Sequence, residues 1–549
     1  MTSTEPAVRT KHEPDPPTLR PPLEARTGVA AGLLAGAVTA TWVTFWWIGL
    51  SPASLAAGLG DTRRLLERML PPDFPAAGDI ATLILETLLI AVAGTGLATL
   101  ASVPLAFAAA RAAPGGRRSR PVARPAARMV IVLTRAVPTL VFAILFVRVF
   151  GLGPLAGALA VAVHSVGMIA KLLTDAIEEA DPVPAEAVRA CGAREIQVAV
   201  SNVLPRVLPA LVSIVLYRLD INIRASAVLG VVGAGGIGVA LQTALGSLDY
   251  RRATGIICLI TILILLLELL SVAIRRRSGH DRTAAAVLPA GRARADVGWD
   301  RDRVLRFAGM AAAVVLFLAS LWSLDPSPGR LADSWSNVRA ILTGMWPPAF
   351  SGEIFTGVLE SLLMALGAAS VGTLGGLVLA LLTAANVAPL RPLSMVVRAL
   401  VVVIRGIPDL VYALLFVAAL GLGPFAGFLA LWISCTALAA KFFTDSLEVL
   451  DPVPHEALTS VGATRPQAFA AGIWPQFVPS FTANGLFVAD LALRESIVLG
   501  IVGAGGIGYL MQESIATLRY DVTGAIVISI AVVVYGIEAL ARLARRHLL

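Results

Sequence analysis

Apolar runs of about 20 residues, the helix length that crosses roughly 30 Å of hydrocarbon, recur along this chain. In the first half they lie near 29–50, 80–110, 129–150, 153–170, 207–230 and 253–274, and in the second near 305–323, 354–385, 395–420, 422–440, 477–500 and 523–541. The pattern predicts an all-α polytopic membrane protein of about twelve transmembrane helices, six in each half. The second span of each half is long enough to tilt, and the fifth is interrupted by charges. Composition agrees: 57% of the 549 residues are hydrophobic and 15% charged, against about 25% charged in soluble domains. A water-soluble surface cannot be assembled from so few charges.

Arginine sets the expected orientation, because short cytoplasmic loops hold an excess of Lys and Arg. RAAPGGRRSRPVARPAAR (111–128), RRR (275–277) with the basic stretch after it, and ARLARRHLL (541–549) fall on one side if both termini are cytoplasmic. Arg63, Arg64 and Arg68 fall outside, partly balanced by Asp61 and Glu67. The net charge of +8 fits these loops and gives no reason to expect nucleic acid. Residues 1–28 are polar and Pro-rich, too long before the first apolar run for a signal-peptide n-region, and read as a disordered cytoplasmic tail. Cys191, Cys258 and Cys435 form no C-x-x-C pair and no metal spacing, so no metal site is expected.

An internal repeat organises the chain. RAVPTLVFAILFVRVFGLGPLAG (135–157) matches RGIPDLVYALLFVAALGLGPFAG (405–427), and the offset of 270 holds without a gap through DPVP at 181–184 and 451–454. Earlier pieces match with small shifts, LETLLIA with LESLLMA and MLPPDF with MWPPAF. The expected units are a first repeat at 29–276, a basic cytoplasmic linker at 277–304 and a second repeat at 305–549. An even number of helices gives both copies one orientation, a parallel repeat about an axis along the membrane normal.

VVGAGGIG (231–238) and IVGAGGIG (501–508) fit the G-x-G-x-x-G dinucleotide fingerprint through Gly233, Gly235, Gly238 and Gly503, Gly505, Gly508. A dinucleotide site also needs a strand–loop–helix unit and an acidic residue about 20 positions on. The windows 253–262 and 523–532 hold no Asp or Glu. These glycines instead read as gate or turn positions at the outer end of a span, where they let the chain turn or helices approach closely.

Between the fourth and fifth spans lie DPVPAEAVRACGAREIQVAVSNVLP (181–205) and DPVPHEALTSVGATRPQAFAAGIWP (451–475). Prolines that begin a helix, an acidic first turn and a glycine that ends it predict two short helices joined at Gly192 or Gly462. Such a segment can lie on lipid or dock a cytosolic partner, and its recurrence on one face favours docking. Lys171 with Asp175 and Lys441 with Asp445 have the spacing of interfacial charge pairs; a part in transmitting partner movement is the alternative. Lysine occurs elsewhere only at Lys11, and no G-K-[ST] sequence exists, so a P-loop ATPase is not encoded here.

Ionisable residues inside spans are costly and point to function. Asp220 with Arg224, and Asp490 with Arg494, share a helical face in the fifth span of each half. Two readings stand: ion pairs facing the bundle, or Arg224 and Arg494 offering bidentate donors to an oxyanion across the pseudo-two-fold axis. Arg135 and Arg405 open the third span as interfacial anchors. Arg148, His164 and Arg218 align with Ala418, Ser434 and Val488, and Ala225 with Glu495, so a route lined by these residues is not strictly two-fold.

The paired segments resemble the coupling loop of ABC importer permeases, E-A-A-x-x-x-G followed by I-x-L-P. Glu186, Ala187, Gly192, Leu204 and Pro205 fit in the first half, and Glu456, Ala457, Gly462 and Pro475 in the second. The third alanine is Val188 or Leu458, the isoleucine position is Asn202 or Gly472, and Trp474 replaces the leucine. NIRASAVLGVVGAGGIG (222–238) and LRESIVLGIVGAGGIG (493–508), with the R-x-V-P or R-x-I-P start of the third span, resemble the phosphonate-type permeases, a family related to methionine importers. The resemblance covers roughly 80–275 and 350–545 and implies a type I importer permease with two copies fused in one chain. It further implies a translocation subunit rather than an enzyme, carrying phosphonate, phosphate or phosphite across a bacterial inner membrane. The implied partners are two copies of a cytoplasmic ATPase, which hold the ATP and Mg, and an extracytoplasmic solute-binding protein. A proton- or ion-coupled secondary transporter with two parallel repeats is the rival; it would need no docking loops and would use acids such as Asp220 and Asp490.

Overall fold

The computed structural model describes residues 25–49, 52–111, 122–284, 301–324, 328–388 and 390–548, and those residues form helices and short connections with no strand among them. The tail predicted at 1–28 lies outside the described residues up to position 24, as do 112–121 of the basic loop and 285–300 of the linker. The first half holds α1 (Ala25–Trp47), α2 (Pro52–Met69), α3 (Ala77–Ala109), α4 (Ala123–Ala136), α5 (Thr139–Phe150), α6 (Pro154–Glu179), α7 (Val183–Ala190), α8 (Glu195–Val198), α9 (Leu204–Leu229), α10 (Ile237–Gly246) and α11 (Tyr250–Ala284). The second repeats the order with α12 (Arg301–Ser323), α13 (Pro328–Gly344), α14 (Gly352–Thr383), α15 (Arg391–Gly406), α16 (Asp409–Leu420), α17 (Pro424–Glu448), α18 (Val453–Ser460), α19 (Arg465–Ala468), α20 (Trp474–Ile501), α21 (Gly506–Ala516) and α22 (Tyr520–Leu548).

All twelve predicted spans fall on helices, but fewer pass as straight crossings. Among the described residues seven helical stretches are long and apolar enough to cross a membrane, and nine if each bent pair counts as one span. The third span of each half is the bent pair: α4 meets α5 at 92°, and α15 meets α16 at 82°. The cause is local. Pro138 and Pro408 disfavour the helical region for the residue before them, and Val137 and Ile407 are extended at φ −92°, ψ 125° and φ −88°, ψ 123°. The other three predicted spans coincide with α1, α12 and α20. The apolar part of α12 is only Phe307–Ser323. In α20, Pro475, Gln476, Pro479 and Asn484 dilute one end and Asp490, Arg494 and Glu495 the other.

The halves interlock. Helix α1 packs on α14 of the second half, and α12 packs on α3 of the first. Thr44 Oγ1 of α1 donates to the Leu363 carbonyl of α14 at 2.7 Å, and Phe45 meets Phe428 of α17 edge to face. On the α13 side, Asn337 Nδ2 donates to the Val149 carbonyl of α5 at 3.0 Å.

Lipid is as apolar as leucine, so helix association in a membrane rests on close van der Waals packing of small residues. The buried positions are accordingly rich in alanine, while Trp322, Leu100 and Met395 face outward. A side chain on Gly157 of α6 would come within 2.4 Å of the Ala234 carbonyl oxygen, and one on Gly376 of α14 within 2.5 Å of Ala439. Substituting Gly157→Val is therefore expected to destabilise the chain by about 1–3 kcal/mol, the usual cost of overpacking. A lowered thermal midpoint in detergent checks this, with Gly78→Ala, which meets nothing within 4 Å, as the silent control.

Two ionic clusters tie the halves together within the membrane. Glu538 of α22 lies 3.4 Å from Arg135 of α4 and 3.9 Å from Arg494 of α20; Glu268 of α11 lies 3.6 Å from both Arg405 of α15 and Arg224 of α9. Arg135 and Arg405 thus do not open the third span. They sit in the last turn before its bend, because α4 and α15 begin a dozen or so residues earlier. Replacing Glu538→Gln leaves two guanidiniums without their shared carboxylate and is expected to cost on the order of 2 kcal/mol, the value of a charged hydrogen bond. Adding Arg135→Met should cost less than the sum of the single losses; strictly additive thermal shifts would show that the cluster does not couple the halves.

Candidate functional site

The two segments between the fourth and fifth spans fold as near copies. In each, an aspartate caps the entry: Asp181 Oδ1 accepts from the Val183 N–H, and Asp451 Oδ1 from the Val453 N–H, both at 3.0 Å. The short helix then ends at Gly192 (φ +82°) or Gly462 (φ +90°), the left-handed position that closes a helix most cheaply with glycine. Gln197 and Gln467 cap the second short helix by accepting from the Arg194 and Thr464 N–H groups. Glu186, Ala187, Gly192 and Pro205 are exposed, as are Glu456, Ala457, Gly462 and Pro475. Val183 and Val453 beside them are 65% and 62% exposed, so each half presents a protruding, partly apolar surface.

The two surfaces are not identical. Arg189 and Glu195 form a two-point ion pair at 3.0 and 3.2 Å in the first loop, where the second has Thr459 and Arg465. Just inside, Lys171 pairs with Asp175 and Lys441 with Asp445.

The glycine stretches form a reversal between helices. Gly233, Gly235 and Gly236 have φ of +85°, +86° and +76°, matched by +95°, +79° and +71° at Gly503, Gly505 and Gly506. Gly238 and Gly508 are close-approach positions, 2.7 and 2.0 Å from the Ala227 and Ile497 carbonyl oxygens for an added side chain. Each turn is held by an upstream span: Thr87 Oγ1 accepts from the Ile237 N–H and Ser361 Oγ from the Ile507 N–H, both at 2.9 Å, and Glu360 accepts from the Gly506 N–H at 3.1 Å. Leu152 lies over Gly233 and Leu422 over Gly503. No strand stands before either turn.

Inside the spans, the predicted i, i+4 pairs are present: Arg224 lies 3.5 Å from Asp220 and Arg494 lies 3.3 Å from Asp490. Both arginines also reach the glutamates of the ionic clusters, so each guanidinium is shared between two carboxylates. Arg494 Nη1 further donates to the Arg135 carbonyl at 2.9 Å, one of the carbonyls released by the bend. His164 Nδ1 lies 3.1 Å from the Val137 carbonyl oxygen, and Tyr412 donates to the Ile404 carbonyl at 2.9 Å. Bends within lipid need such partners.

The remaining charges divide unevenly. In the second half Glu495 and Asp409 line one small cavity with Ser434, Cys435, Val488 and Ala492, and Ser434 donates to Asp409. In the first half Arg218, 7% exposed, donates to Ser165, which is linked through Asn222 to Thr95. Arg148 is exposed at the end of α5. Glu268, Glu538 and Asp409 complete the set; the sequence signal for the first two is a glutamate at one offset of 270 inside the last apolar run of each half.

A family model described as binding-protein-dependent transport system inner membrane component matches residues 102–280 and 338–548. The phosphate-import permease protein PhnE of Mycolicibacterium smegmatis is 42% identical over 512 residues, 93% of each chain. The phosphite transport system permease protein PtxC of Stutzerimonas stutzeri is 38% identical over 42% of this chain and 83% of its own. Among solved structures, inward-facing MetNI methionine ABC transporter aligns with 36% of this chain and 99% of that one at 22% identity and a TM-score of 0.33. The double match, one per repeat, and the near full-length relative place this chain in the family of inner membrane components of binding-protein-dependent transport systems, as two permease units fused in one polypeptide.

Proposed function

We propose that this chain forms the whole membrane pathway of an ATP-driven importer for phosphonate or a related oxyanion, phosphate or phosphite. The observation that carries the reading is the 42% identity across 93% of a phosphate-import permease. In this reading an extracytoplasmic solute-binding protein delivers the anion at the outer glycine turns, which act at the gate. Two copies of a cytoplasmic ATPase bind ATP and Mg and dock at the exposed loops around Glu186 and Glu456. Closure of the ATPases moves those loops, and α9 and α20, which follow them directly, carry the movement to the half–half contact. Asp220, Arg224, Asp490, Arg494 and Glu495 line the route there. The chain itself holds no cofactor and performs no covalent step, and both termini are cytoplasmic in a bacterial inner membrane.

The test is ATP hydrolysis by the chain reconstituted in lipid with its ATPase and binding protein, titrated with methylphosphonate, phosphite and phosphate. Loaded binding protein is expected to stimulate hydrolysis several-fold, and Glu186→Ala plus Glu456→Ala to abolish that stimulation while the thermal midpoint of the chain holds. Uptake that follows a proton gradient with no ATPase bound would overturn the reading.

A further inference from the structure

Four intramembrane arginines, Arg135, Arg224, Arg405 and Arg494, each have a carboxylate within 4.0 Å. Arg218 has none among the described residues. It lies on α9 with 7% of its surface exposed, and its single hydrogen bond runs from Nε to Ser165 Oγ at 3.1 Å. From there the bonds run in one direction. Ser165 donates to Asn222 Oδ1 at 3.0 Å, Asn222 Nδ2 donates to Thr95 Oγ1 at 2.8 Å, and Thr95 donates to the Ala91 carbonyl at 2.6 Å. This buried chain fixes the Nε edge of the guanidinium and leaves both Nη nitrogens without a hydrogen-bond partner among the described residues.

Neither Nη is among the fully buried unpartnered atoms, so both stay reachable; a cation in a span without a counter-charge is costly, and the fold does not require one at this place. In the second half the equivalent positions are Val488, Cys435, Ala492 and Ala369, all buried and apolar. The same helices pack around valine there. The neighbour of Ser165, His164, lies 3.1 Å from the Val137 carbonyl oxygen, two residues from the Arg135 carbonyl that accepts from Arg494 of the other half, which places the Arg218 cluster beside the contact between the halves. Two adjacent guanidinium nitrogens with free N–H groups match two oxygens of a tetrahedral oxyanion.

We propose that Arg218 is an anion-holding point on the translocation route, taking one phosphorus oxyanion through its two Nη groups, and that the transporter has it in the first half only. The proposal rests on the importer reading above and assigns the substrate contact within it. Ser165, Asn222 and Thr95 are positioning residues that hold the guanidinium edge-on to the anion.

The experiment reconstitutes the full chain with its ATPase and binding protein and measures radiolabelled phosphate, phosphite and methylphosphonate imported per ATP hydrolysed, at saturating loaded binding protein. Arg218→Gln is expected to lower this ratio at least tenfold, and Arg218→Lys, which keeps the charge but not the fork, several-fold. A purely structural role would lower import and hydrolysis together and leave the ratio unchanged. If Arg218→Gln does not assemble, Arg218→Lys decides. An unchanged ratio in the assembled variants, with wild type importing normally, overturns the Arg218 proposal alone. Wild type that hydrolyses ATP but imports none of the three anions overturns the substrate reading, and this assignment with it.

Discussion

A helix broken inside a membrane releases backbone carbonyls where no water can take them, and this chain breaks one span in each half. The bends at Val137–Pro138 and Ile407–Pro408 are what the surrounding polar groups are arranged around. His164 answers the Val137 carbonyl, Tyr412 the Ile404 carbonyl and Arg494 the Arg135 carbonyl. Because Arg135 and Arg405 end the helices that stop at these bends, their charges arrive at the same depth, and the glutamates of α22 and α11 meet them there. One constraint on the backbone thus gathers the bends, the ion clusters and the contact between halves in one region.

The clusters also explain how two permease units act as one body. Glu268 binds an arginine of its own half and one of the other, and Glu538 does the same. With α1 and α12 each lying on the opposite half, no half is complete without its partner. Fusion then frees the two copies to differ where the axis does not force them to match. The first half keeps Arg218 and His164, and the second has Val488 and Ser434 in their places while gaining Asp409 and Glu495. One arginine without a carboxylate partner in the first half and two carboxyl groups lining one small cavity in the second make the halves chemically unequal, which a symmetric pair of identical subunits could not be.

The paired loops between α6 and α9 and between α17 and α20 follow a different rule. Their tips carry exposed valines and a glutamate on short, well-capped helices, and the chain runs from each loop straight into α9 or α20 through a π-helical turn. Each exposed surface is thus continuous, with no irregular linker, with the helix that bears Arg224 or Arg494. The Arg189–Glu195 pair spans one loop and has Thr459 and Arg465 in its place in the other, so the two loop surfaces present different chemistry.

The positions of the spans, the duplication, the short paired helices and the turn at the glycine clusters were legible in the sequence. Each rests on a local requirement: lipid demands apolar length, a left-handed turn demands glycine, and a helix start favours proline with an acid after it. The Asp220–Arg224 and Asp490–Arg494 pairs were legible for the same reason, since a spacing of four fixes a shared face. Only the tertiary structure decided what those arginines meet next, because Glu268 and Glu538 come from other helices and Arg405 and Arg135 from the other half. It also decided that the third span is bent and that Arg135 and Arg405 lie at the bend, where a run of apolar residues through 129–150 reads as one straight helix. Hydropathy reports how much of a segment tolerates lipid, whereas pairing within the membrane depends on which faces the packing of small residues brings together.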